Sequence, residues 1–320
     1  MRLSDCAPRF IAALMMSFLI GAAAAFADGF ARLEIHPVSS MTLSGEQFRA
    51  GEIAGAPVML AGELRIPSPG SERLPAVVIV HGSGGLGASA DRWAQELNSI
   101  GVAAFILDSF TGRGITSTVA DQTLLNSLAM TVDAYRALAL LAAHPRIDPA
   151  RIAVMGFSKG AVAAVYSSLD RFQRRYAPAN LEFAAHIGFY TPCNVAYRDD
   201  TKTTGRPIRM FHGIADDYVA IGHCRSYVER LKGAGIDVAL TEYPDAQHAF
   251  DNFMAAPLVP VPTGQTTRNC FLHEDDSGAI VNSNTGKPYD INSDPCVEKG
   301  PHVGYNPRRI LRRSTPSRSS

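Results

Sequence analysis

Gly156-Phe157-Ser158-Lys159-Gly160 fits the pattern G-x-S-x-G, in which two glycines permit a sharp strand-to-helix turn that lifts a serine hydroxyl clear of a sheet. A serine hydroxyl is a weak nucleophile near neutral pH, so it needs a base to take its proton and a carboxylate to orient that base. Two later loops hold such residues: Gly213-Ile214-Ala215-Asp216-Asp217 and Pro244-Asp245-Ala246-Gln247-His248. Asp216 is the expected orienting acid, with Asp217 its nearest competitor and Asp245 a residue of the turn beside the site. His248 is the expected base. The other histidines have plainer places: His81 and His212 end strands, His144 closes a helix, and His273 lies in a polar C-terminal stretch.

The chemistry such a set performs is acyl transfer, with negative charge developing on a carbonyl oxygen. That oxyanion requires backbone N–H donors. Lys159 offers one, and Ser83 in His81-Gly82-Ser83-Gly84-Gly85 offers the other, because the glycines let the main chain approach a substrate closely. Phe110 and Arg113 are expected to line the substrate pocket, Arg113 facing a substrate carboxylate. Tyr190 and Thr191 would form the opposite wall.

These residues need a frame that gathers distant loops at one rim. From Ala31 to Pro67 the pattern predicts antiparallel strands, clearest over Val58–Ile66. The period then changes: apolar runs at Ala76–Val80, Ala103–Leu107 and Arg151–Met155 alternate with helical stretches at Asp91–Ile100 and Gln122–His144. Further strands are expected at Phe183–Phe189, Ile208–His212 and Val238–Tyr243, with a helix over Ile221–Gly233. Strands alternating with helices imply an α/β fold: a mostly parallel sheet with helices on both faces. Every candidate loop above follows a strand's C-terminal end, where open α/β sheets collect their ligands.

The chain has 320 residues, 46% of them hydrophobic, with 30 Lys+Arg against 30 Asp+Glu. That apolar content excludes a disordered chain. One apolar run, Phe10–Ala27, follows Arg2 and Arg9 and ends in Ala25-Phe26-Ala27, so residues 1–27 read as a secretory signal peptide and the mature protein as periplasmic or secreted. Without it the chain carries 28 basic and 29 acidic side chains, and no stable membrane span is expected. Residues 28–306 hold 23 basic against 29 acidic side chains, which argues against a nucleic-acid partner.

The other five arginines fall in residues 307–320, read as a disordered basic tail. Residues 28–255 are expected to form the catalytic domain, and residues 256–306, rich in Pro, Gly, Asn, Asp and Thr, a loop-rich appendage. Four cysteines remain after signal removal, an even number that favours disulfides in an exported chain. Cys193 with Cys224 and Cys270 with Cys296 are the favoured pairs. No CxxC or closely spaced His pair points to a metal, and the chemistry calls for no organic cofactor.

The same glycine loop supports a rival reading. Gly82, Gly84 and Gly87 spell G-x-G-x-x-G between a strand and a helix, and Asp108 follows the next strand where a ribose-binding acid would stand, as in a dinucleotide-binding oxidoreductase. A non-catalytic binding protein on the same frame is a further alternative. Neither accounts for Ser158, Asp216 and His248 at three strand ends.

From about Val58 to Phe250 the chain resembles the dienelactone hydrolase family of α/β-hydrolases, in an exported branch. The resemblance rests on His81–Gly85, Asp108–Gly114, Gly156–Gly160, Gly213–Asp217 and Tyr243–Phe250, in that order. It implies the α/β-hydrolase fold and a nucleophile, acid and histidine falling on Ser158, Asp216 and His248, acting on a small-molecule carboxylic ester or lactone through an acyl-enzyme. The founding members carry cysteine where Ser158 stands and a glutamate near the nucleophile that matches no residue of this chain.

Overall fold

A computed structural model describes residues 30–306; the expected signal peptide, 1–27, and the basic tail, 307–320, lie outside the described residues. Two long strands, β1 (Arg32–Thr42) and β2 (Ala56–Ile66), pair antiparallel on either side of a short helix, α1 (Gly45–Arg49). The Ser44 hydroxyl accepts the Gln47 N–H while the Gln47 side chain accepts the Ser44 N–H, a reciprocal cap that starts α1.

The chain then alternates between strand and helix: β3 (Leu74–Val80), α2 (Ala88–Ser99), β4 (Ala103–Asp108), α3 (Ser127–Ala142), β5 (Ile147–Phe157), α4 (Lys159–Tyr166), α5 (Asp170–Tyr176), β6 (His186–Phe189), the short β7 (Val195–Ala196), β8 (Ile208–Gly213), α6 (Ile221–Gly233) and β9 (Val238–Tyr243). The main sheet has eight strands in the order β1-β2-β4-β3-β5-β6-β8-β9, parallel from β4 onward. This is the α/β arrangement expected from the alternation, with the antiparallel pair at one edge.

Strand period explains the two cores. Val78 and Val80 face one layer, which holds α3 and α4, while Val77 and Ile79 face the other, which holds Ala90 and Ala94 of α2. Because both faces are covered, β3 reads as a continuous apolar run rather than an alternation.

Two boundaries differ from expectation. The helix expected from Gln122 begins instead at Ser127, where the Asn126 side chain accepts the Leu128 N–H; Gln122–Leu124 forms a separate 3-10 turn. The strand expected from Phe183 begins at His186, although Ala184 already donates to Ile152 O.

Residues 256–306 contain short strands rather than helices. Leu272–Glu274 pairs parallel with β7, extending a small sheet from the body into the appendage. Disulfides join Cys193 to Cys224 and Cys270 to Cys296. The buried Glu274 carboxylate takes Arg171 and Arg198, and Asp217 accepts from the main chain and the ring of His302, both at 2.8 Å. Asp217 thus fastens the appendage and does not meet His248.

Candidate active site

Ser158 sits between β5 and α4 with φ 51° and ψ −115°, a conformation rarely adopted by a residue with a side chain. The residues two positions to either side of it must be glycines. A Cβ on Gly156 would lie 2.1 Å from Gly160 O, and one on Gly160 would lie 2.3 Å from both His81 O and Val80 O. The serine N–H donates to Phe189 O at 3.0 Å, which fixes the turn against β6.

The Ser158 hydroxyl donates to His248 Nε2 at 3.0 Å, and His248 Nδ1 donates to Asp216 Oδ2 at 2.9 Å. The structure therefore brings together three side chains from the ends of β5, β8 and β9. The other Asp216 oxygen accepts the N–H groups of Tyr218 and Val219 at 2.9 and 2.8 Å. Burial acts to raise the Asp216 carboxyl, but the facing His248 and His212 outweigh it and hold the carboxyl well below the usual carboxylate range. Asp216 is thus an anion whenever His248 needs an acceptor.

The backbone amides of Ser83 and Lys159 have no acceptor within the protein among the described residues. Both residues line one cleft with Ser158. A Cβ on Gly82 would lie 3.1 Å from Phe157 O and 3.5 Å from Ser158 Cβ, so the glycine loop runs directly against the turn that carries Ser158. The cleft encloses about 940 Å³, and Gln265, Tyr289 and other appendage residues form much of its far wall.

Phe110, Arg113 and Tyr190 turn their side chains into the protein, against the expectation that they face the substrate. Phe110 is buried in the core, its ring 4.3 Å from that of His81. Arg113 spends all its donors inside the protein: two on Asp133, at 2.8 and 2.9 Å, and the others on Thr42 Oγ1, Ser109 O and Met41 O. A guanidinium so saturated has nothing left for a substrate carboxylate. Tyr190, buried with φ 41°, packs its ring 4.5 Å from that of His248 and donates its hydroxyl to Asp251 at 2.9 Å. Thr191 is fully buried. Asp245 occupies the turn after β9 with φ 61°.

Several residues of the site escaped the sequence reading. His212 Nε2 donates to Val219 O at 2.9 Å and lies 3.3 Å from Asp216 Oδ2. Its spacing of four from Asp216 was the available signal. Tyr218, in the same loop, places its ring 4.7 Å from that of His248, and burial pushes its hydroxyl up to about 12. Asp251 is buried with its carboxyl raised by that burial, and takes Trp93 Nε1 at 2.8 Å beside the Tyr190 hydroxyl. Gln122 joins three segments: its side chain meets Ser83 Oγ and Lys159 Nζ, and its N–H donates to Gln265 Oε1.

Asp108, the acid a bound ribose would require, instead accepts the N–H groups of Phe110 and Thr111 and caps the turn after β4. Glu34, His36 and His144 place one metal-ligating atom each within 4.8 Å of one another, on the edge strand β1 and the turn after α3. There His144 Nδ1 accepts the Arg146 N–H, which leaves the ring proton on Nε2, donated to Glu34. No helix among the described residues is long and apolar enough to cross a membrane.

A model of the dienelactone hydrolase family matches residues 63–261. Among solved structures, a dienelactone hydrolase-like promiscuous phosphotriesterase from metagenomic libraries is 18% identical, covering 70% of this chain and 86% of that one, with a TM-score of 0.52. A thermophilic esterase from the planctomycete Thermogutta terrifontis is 20% identical, covering 61% and 82%, with a TM-score of 0.49. No curated protein matches the chain.

Proposed function

The chain belongs to the dienelactone hydrolase family, and from that premise we propose that it is a serine hydrolase of carboxylic esters or lactones that works through an acyl-enzyme. The observation that carries the reading is the continuous run of hydrogen bonds from Ser158 Oγ through His248 to Asp216. Ser158 Oγ attacks the carbonyl carbon, its proton passes to His248 Nε2, and the carbonyl electron pair moves onto oxygen. The amides of Lys159 and Ser83 receive that oxyanion. Collapse expels the alcohol, which takes the proton from His248, and water then repeats the sequence on the acyl-enzyme. Asp216 keeps Nε2 free to accept and stabilises the imidazolium.

In this reading residues 28–255 are the catalytic domain and 256–306 an appendage that completes the substrate cleft. Two disulfides fit an oxidising compartment, so the protein acts in the periplasm or outside the cell, with residues 1–27 as its export signal. A fluorophosphonate probe followed by peptide mapping tests the assignment. Selective modification of Ser158 is expected; a folded protein that takes no label is a binding protein rather than a hydrolase.

A further inference from the structure

Lys159 is 4% exposed, and its Nζ donates only to neutral acceptors, Gln122 O at 3.2 Å and Gln122 Oε1 at 3.0 Å. No carboxylate forms an ion pair with it among the described residues. An ammonium has three N–H donors, and the protein supplies acceptors for two of them. Burying a cation without an anion is costly, so its presence here calls for a negative charge that arrives from elsewhere.

The position of the ammonium indicates which charge that is. Lys159 directly follows the proposed nucleophile and lines the same cleft. Gln122 accepts from Lys159 Nζ through Oε1 and donates through Nε2 to Ser83 Oγ at 3.1 Å, so the cation is tied to both loops whose amides would hold the oxyanion. We propose that the Lys159 ammonium is an electrostatic and positioning group for the oxyanion, setting the two amides through Gln122 and balancing the negative charge formed when Ser158 attacks. This rests on the nucleophile reading above. The charge is needed only in the transition state, where it lowers the barrier without tightening substrate binding.

Burial pushes the ammonium down to about 7, and Asp121, next to Gln122 in the chain, acts to raise it. His81 is the other titratable group that feels its charge. The active form is the protonated one, so kcat/KM for a neutral ester, p-nitrophenyl acetate, is expected to fall as pH rises through about 7. Lys159→Arg, which stays charged, is expected to lose that alkaline fall whatever its activity near pH 6. Lys159→Met should lower kcat by about 100-fold near pH 6 with KM little changed, within the range that loss of an oxyanion donor costs. It should also raise the melting temperature, because an unpaired buried charge has been removed.

A wild-type profile level from pH 6 to 9 overturns the proposal and needs no variant that must fold. So does a Lys159→Met protein in which only KM rises, or in which melting temperature falls while kcat is unchanged; the first marks a ground-state contact and the second a structural role. Fluorophosphonate labelling of the wild type separates the two levels of the argument: labelled Ser158 with a level profile removes only the role of Lys159, whereas unlabelled Ser158 removes the nucleophile reading.

Discussion

The Tyr190 ring lies 4.5 Å from the His248 ring, while the Tyr190 hydroxyl is committed to Asp251 on its far end. Tyr218 packs on the same imidazole, 4.7 Å from it. His248 is thus held by two aromatic rings as well as by Asp216, and its freedom to rotate away from Ser158 is small. Tyr190→Phe keeps the ring but removes one of two side-chain donors from the buried Asp251 carboxyl. It should cost about 1–3 kcal/mol of stability in thermal or denaturant unfolding and leave kcat near wild type. Tyr190→Ala should also lower kcat, by about 10- to 100-fold, as His248 loses its backing.

Asp216→Asn leaves the volume of the side chain unchanged but lets an amide face His248 Nδ1, which favours the wrong tautomer. We expect kcat for p-nitrophenyl acetate to fall by about 10⁴-fold while the circular dichroism spectrum stays native. Asp217→Asn should be far milder in turnover, because Asp217 serves the appendage through His302.

Arg113→Ala removes the partner of Asp133, a carboxylate with no exposed side-chain surface. Breaking a buried pair from one side leaves an uncompensated charge, and a loss of about 3–5 kcal/mol in unfolding free energy is expected. KM for esters with and without a carboxylate should change alike in whatever enzyme remains folded. A selective rise for the carboxylate-bearing ester would return Arg113 to the substrate.

These cases show what was legible in the sequence. The convergence of the loops bearing Ser158, Asp216 and His248 was readable because each follows a strand, and strand order alone brings their ends to one rim. The glycines at 156 and 160 advertise a backbone crossing too tight for any side chain. Phe110, Arg113 and Tyr190 follow strands too, yet they point into the protein. Their partners lie far along the chain: Arg113 meets Met41 and Thr42, and Tyr190 meets Asp251. A loop position predicts nearness to the rim but not the direction of a side chain. The change in composition after residue 255 was visible in the sequence, whereas the parallel pairing of Leu272 and His273 with Val195–Ala196 left no local signal.

His186, the first residue of β6, is buried against the end of α4, and burial pushes its imidazole down to about 4. In the unfolded chain an imidazole titrates near about 6.5. Between those values the unfolded state binds a proton that the folded state refuses, so stability rises with pH across that window and is lost as pH falls through it. The loss attributable to His186 should reach about 3 kcal/mol near pH 4. Urea unfolding from pH 7 to pH 4, in wild type and His186→Gln, checks this; the variant should show the shallower dependence.

Steady-state hydrolysis of p-nitrophenyl acetate by Ser158→Ala beside the wild type tests the central claim most directly. The account predicts a folded variant whose kcat falls by at least about 10⁴-fold, leaving only what binding and the oxyanion amides supply. Turnover by Ser158→Ala within a few-fold of the wild type would contradict it.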